Sequence, residues 1–404
     1  MSPLAPFLTF AAYALAIATA ALLLRLVPRI ANSLEPIGGR YASVDGLRGY
    51  LAFGVFIHHS VIAWIYLQTN QIGIPPNNFF AQIGLASVAL FFMITGFLFW
   101  SRLLKQGRQH DWLAFAVSRV FRLYPLYLPL LTIVVLCVFY LQGWEFKESP
   151  LDITKQIALW LSFDRPDINQ YPQTGMLISN VTWTLAYEVF FYTALPLLGM
   201  LFIYRGGRVQ VALCLIGIYT LYQVIGWEHS LKKHYLASFL GGIAATYWIR
   251  QPKLLAWGKT RTASVVALIA LLIVMTAFRK SFATLPLLLL TLFFVIVASG
   301  NDLFGALKWR SIRWLGEISY STYLLHGFVL WLVIYQLLPQ LPYARDNSIP
   351  FLALIALSSC LLIVLSSITF LFIEKPGIVA GKKVVQWLRR NRDTECVTAQ
   401  ETAP

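Results

Sequence analysis

The sequence predicts an all-α fold: a polytopic transmembrane bundle of about eleven helices, N-terminus outside and C-terminus cytoplasmic. Three observations predict it. Of 404 residues, 58% are hydrophobic and only 12% charged, with a mean hydropathy of +0.68, a composition of chains built from apolar stretches in series. Those stretches recur at lengths near the roughly 20 residues a helix needs to cross a bilayer. Lys and Arg fall in the short connections between them, and mainly on one side.

The elements follow in order. Segment 7–27 has no basic stretch ahead of it and is long enough to span, so it reads as a retained helix rather than a leader. The next spans are 46–67, 79–101, 122–141 and 180–203. Shorter apolar runs follow at 209–226, 235–250, 263–278 and 282–299, and the series closes with 312–337 and 350–373. With the N-terminus outside, 24 of the 32 basic residues face inward, among them Arg25, Arg29, Arg40 and Arg48. The longest connection, 142–178, lies outside and carries Glu145, Glu148, Asp152, Asp164 and Asp167. Residues 1–40 form an extra helix and linker, 41–376 the membrane domain, and 377–404 a basic, disordered cytoplasmic tail. The absence of an internal repeat disfavours transporters made of inverted halves.

Composition also excludes functions. A net charge of +15 could suit nucleic acid, but its placement in loops is that of a membrane anchor. No glycine-rich phosphate loop and no metal-ligand cluster is present, so no metal is expected. Cys137, Cys214, Cys360 and Cys396 are isolated, which leaves no disulfide framework.

The polar residues inside the spans carry the chemistry. Arg48 and His59 are eleven apart, just over three turns, so they share a helix face about 16 Å apart. Arg48 then stands at the membrane surface and His59 well inside, where an ionisable group marks a functional site. Neighbouring His58 points about 100° away. Glu188 lies about 12 Å deep from outside and His326 about 20 Å from the inner face, which suggests one shared polar cavity; separate interhelical hydrogen bonds are the plainer alternative. Arg119 and Arg122 share a helix face and, with Arg48, make a cationic mouth suited to phosphate oxygens, or simply snorkel to the interface. Lys105, Arg108, Lys382, Lys383, Arg389 and Arg390 read as anchors. Glu317 and Glu374 sit where pairing with Arg313 or Arg48 is plausible. Trp183, Tyr323 and His326 are candidate substrate contacts, although for Tyr320 and Tyr323, three apart, packing is the plainer reading.

Together the segments Val44-Asp45-Gly46-Leu47-Arg48-Gly49 with the spacing to His59, and Arg119-x-x-Arg122-Leu123-Tyr124-Pro125, resemble the acyltransferase-3 family of integral membrane acyltransferases, the polysaccharide O-acetylase group. Leu90 to Leu98, Trp183 to Glu188, Ser319 to His326 and Phe372 to Pro376 support the resemblance in the family's order. It implies an acyl-CoA donor, usually acetyl-CoA, entering from the cytoplasm of a bacterial-type inner membrane. It implies transfer to a hydroxyl of a cell-envelope glycan or lipid-linked saccharide. By position, His59 is similar to the family's catalytic histidine and Arg48, Arg119 and Arg122 to its essential arginines. On this reading His59 is the general base, oriented by Glu188, and the arginines hold the donor. Ala89 stands where the family often has an acid, and no esterase-like domain follows the membrane part. A transporter or flippase using His59, Glu188 and His326 for protons or a head group is the alternative.

Overall fold

A computed structural model describes residues 5–34, 41–71, 73–203, 207–229, 231–340 and 348–401. Arg40, counted in the charge asymmetry, lies outside the described residues. Helices are α1 (Ala5–Leu26), α2 (Pro28–Ser33), α3 (Ala42–Thr69), α4 (Asn78–Gln106), α5 (Trp112–Leu141) and α6 (Pro150–Leu161). They continue as α7 (Trp183–Phe202), α8 (Arg208–His229), α9 (Lys233–Trp248), α10 (Pro252–Gly258), α11 (Arg261–Ala277) and α12 (Thr284–Ala298). The last are α13 (Arg310–Glu317), α14 (Ser319–Trp331), α15 (Ser348–Thr369) and α16 (Lys375–Glu401). No strand occurs among the described residues.

Each predicted span finds a helix, but the membrane-crossing count is lower than eleven. Among the described residues six helices are long and apolar enough to cross, and eight if the bent pairs α10–α11 and α13–α14 each count as one span. The stretch 312–337, expected as one straight helix, is broken at Ile318 by a 73° bend. A hydropathy pattern registers that these residues are apolar and not that the axis turns. The bend lets α13 lie against the start of α3. The ideal Cβ of Gly316 would collide with the Asp45 carbonyl, and that of Gly46 with the Leu307 carbonyl. Only glycine allows these backbones to meet.

The extra first helix is part of the bundle. Ala12, Ala16 and Ala20, four apart, are buried and give α1 a narrow seam for close packing, while Tyr13 Oη donates to the Tyr50 carbonyl at 3.1 Å. The tail differs from expectation: a π-helical turn over Phe370–Glu374 joins α15 to α16 without interruption, so the segment expected to be disordered is helical. Pro125 and Pro129 lie inside α5, which continues through them. Asp111 caps this helix, accepting from Ala114 N at 2.9 Å.

The core lies where α3, α4, α7 and α14 meet. Phe53 and Phe56 of α3 and Phe92 of α4 have at most 1% exposure there, as do Tyr127 of α5 and Trp314 of α13 elsewhere in the bundle. Leu213, Ile216, Leu272 and Leu288 are exposed on the outer surface, as side chains facing acyl chains would be.

Candidate active site

Basic residues of α3, α4, α5 and α16 meet at one end of the bundle, where these helices, with α7 and α14, line a cavity of about 860 Å³. Arg48, Arg102, Arg119, Arg122, Lys382 and Arg389 line it against three carboxylates, Asp111, Glu188 and Glu317. The excess of cations suits a polyanion. Arg48, Arg119 and Arg122 come together as expected.

Each arginine is held differently. Arg48 lies 3.7 Å from Asp45 one turn earlier. Arg119 packs its guanidinium over the Phe99 ring at 4.7 Å, with Tyr192 at 5.8 Å. Arg122 forms an ion pair with Glu374, which is fully buried and also accepts from Ser321 Oγ at 2.7 Å. Glu374 therefore pairs with Arg122, not with the Arg313 or Arg48 suggested by its place in the chain. The bend at Ile318 and the π turn at its own position bring these distant helices to one point.

Glu188 belongs to this cavity. Tyr192 Oη donates to it at 2.6 Å, and the charges nearest it are Arg119, Arg48 and Arg122. The rings packed beside His59 are His326 at 5.1 Å and His58 at 5.4 Å, and the cavity that Glu188 lines has neither His59 nor His326 in its wall. Depth arithmetic placed both at mid-bundle, but height along an axis says nothing about direction around the bundle. The single cavity expected for His59, Glu188 and His326 is two sites in succession.

Tyr323 divides them. It lines the cavity and its hydroxyl is held between Thr184 Oγ1 at 2.7 Å and the Val181 carbonyl at 2.9 Å. Behind it, 5.8 Å from ring to ring, is His326, and 5.1 Å beyond is His59. His326 is fully buried, and His59 is half-buried. His326 Nδ1 lies 2.6 Å from the Tyr323 carbonyl. A carbonyl only accepts, so this nitrogen carries the proton and Nε2 bears the lone pair. That Nε2 is buried with no partner among the described residues. His58 Nδ1 is likewise committed to the Phe80 carbonyl at 2.7 Å.

Trp183 is not at the cavity. Its indole packs on Tyr235 at 5.0 Å and Tyr187 at 5.6 Å. Tyr320 does line the cavity, donating to the Leu123 carbonyl at 2.6 Å. Sequence reasoning missed the contribution of α16, since Lys382 and Arg389 read as membrane anchors. Arg389 Nη2 instead meets Asp111 at 2.9 Å across the cavity mouth. The only signal was their spacing, seven apart on one helix face. His110, at the same mouth, is also buried with both ring nitrogens unpartnered among the described residues. Burial and the nearby Arg102 hold it below the ordinary histidine range, with Asp111 opposing. Among the described residues no group of three or more His, Cys, Asp or Glu is arranged to hold a metal ion.

A guanidinium-lined cavity with Tyr323 in its wall and His326 and His59 behind it suits transfer of a group from an anionic carrier. The family model described as an acyltransferase domain, Acyl_transf_3, matches residues 41–371. The chain belongs to the acyltransferase-3 family. Three curated relatives from Staphylococcus aureus strains COL, MSSA476 and MRSA252, each bearing the name "Putative O-acetyltransferase", are 24% identical over 377 residues. The match covers 85% of this chain, which spans 58% of the relatives' own length. No solved structure matches. With six to eight long apolar helices, this acyltransferase-3 member is a multi-pass membrane protein.

Proposed function

We propose that this protein is an acyl-CoA-dependent O-acyltransferase that moves an acyl group, acetyl being the first choice, from the cytoplasm to a hydroxyl of a cell-envelope glycan or lipid-linked saccharide. The observation that carries the proposal is the succession of two sites: a cationic cavity at the basic end, then Tyr323, then His59 and His326. The phosphates of the donor rest among Arg48, Arg119 and Arg122, and its pantetheine arm extends toward Tyr323. His59 takes the proton of the acceptor hydroxyl as the oxygen attacks the thioester carbonyl. The new C–O bond forms, the C–S bond breaks, and the departing thiolate recovers the proton from His59. The basic end faces the cytoplasm of a bacterial-type inner membrane, as the one-sided charge requires. Membrane lipids surround the bundle, and nucleic acid has no place in the function.

The test compares envelope glycans and lipids by mass spectrometry from cells making wild type or His59→Ala at matched abundance. An acyl increment present only with wild type is the expected result. Equal acylation in both would remove His59 from the chemistry. No acylation in either, with labelled acetyl-CoA untouched in proteoliposomes, would favour transport of an unmodified substrate.

A further inference from the structure

A general base needs a partner that fixes its tautomer and direction, and His59 lacks the carboxylate that usually serves. Glu188 is engaged with Tyr192 and the arginines, and the Tyr323 hydroxyl with Thr184 and Val181. His58 is turned edge-on, with its Nδ1 spent on the Phe80 carbonyl. One acceptor facing His59 is unfilled. It is His326 Nε2, whose lone pair is fixed by the Nδ1 bond to the Tyr323 carbonyl. A buried acceptor without a partner is costly, so this nitrogen is the one available to receive an N–H from His59. The ring centroids are 5.1 Å apart and the planes tilted by 41°, which leaves about one hydrogen-bond length between facing edges.

We propose that His326 is the positioning partner of His59: a turn of the His59 ring places one N–H on His326 Nε2 and leaves its other nitrogen free to take the acceptor's proton. The resting rings are not joined by a hydrogen bond, and such bonds commonly close only when substrate is bound. The orienting group is then a neutral imidazole. This suits a site deep in the bundle, where an unpaired carboxylate is expensive. The imidazolium formed at His59 hands its positive charge partly through the pair to the Tyr323 carbonyl, and the same proton returns to the thiolate, so no proton is gained or lost. The titratable groups facing the pair are His58 from α3 and Tyr323 from α14. The inference rests on the reading of His59 as base.

The test uses membranes holding the full chain, labelled acetyl-CoA as donor and the host's own envelope glycan as acceptor. His326→Phe keeps a ring of similar shape without the acceptor and should lower kcat by roughly a hundredfold, the low end of what a positioned proton acceptor contributes. The KM for acetyl-CoA should not change, because the donor arginines are untouched. His326→Gln supplies a side-chain oxygen and should recover at least a tenfold part of the loss. An unchanged kcat in His326→Phe overturns the inference. So does a His326→Gln variant as slow as His326→Phe at equal abundance and thermal stability, which would make the position structural. Transfer by His59→Ala at the wild-type rate sinks the base assignment and this inference together. A dead His59→Ala beside a fully active His326→Phe sinks only the inference.

Discussion

His110 shows how one side chain can register pH without entering the chemistry. Its ring packs on Trp112 at 4.4 Å and cannot be charged without bringing a cation beside Arg102. Below the ordinary histidine value of 6.5, the unfolded chain binds a proton that folded His110 refuses. Stability is therefore present above that value and is lost as pH falls from it toward the lower folded one. Thermal unfolding in detergent should show the wild-type midpoint dropping across this window and that of His110→Leu dropping less. Parallel curves would show that His110 does not govern the effect. The arginines were legible at this scale because guanidinium spacing on one helix face can be read directly. The partner of Arg122 was not. Glu374 is 252 residues away, and the sequence holds nothing that links the two.

At the scale of elements, α3 and α13 meet through glycine, and the site depends on the approach because Arg48 and His59 both stand on α3. Gly316→Ala must push the helices apart, since the added carbon meets the Asp45 backbone rather than a flexible side chain. A loss of about 1–3 kcal/mol is expected for such overpacking, read as a lower unfolding midpoint. Gly73→Ala, in open space, should be close to neutral and serves as control; equal effects would refute the packing account. Helix positions were legible in the sequence because apolar runs and polar breaks mark them. The bend at Ile318 was not, and it decides how His326 is aimed. The helical continuation through α16 was hidden by its basic, polar composition, which reads as solvated chain until Lys382 and Arg389 are seen on a cavity wall.

For the whole molecule, the two-site arrangement makes the reaction sided. A membrane-impermeant acyl-CoA added to vesicles should support transfer only when the basic end, bearing Arg102 and Arg389, faces it. Transfer of equal efficiency in vesicles of opposite orientation would refute the placement of the donor. The expectation of sidedness comes from the loops, 24 basic residues against 8, because membrane orientation is written in loop charge. The partition between cavity and imidazoles was not legible, because it depends on the azimuth of Tyr323 and Glu188 around a bundle whose sequence gives only heights.

The ion pair between Arg122 and Glu374 bears on how such a protein is made. A lone guanidinium carried into the bilayer is among the costliest cargoes a helix can bring. Here its counter-ion arrives late, at the end of the last apolar stretch, so α5 must wait for the C-terminal part of the chain before its charge is neutralised. A chain halted before Glu374 would hold Arg122 without the buried carboxylate that pairs with it here.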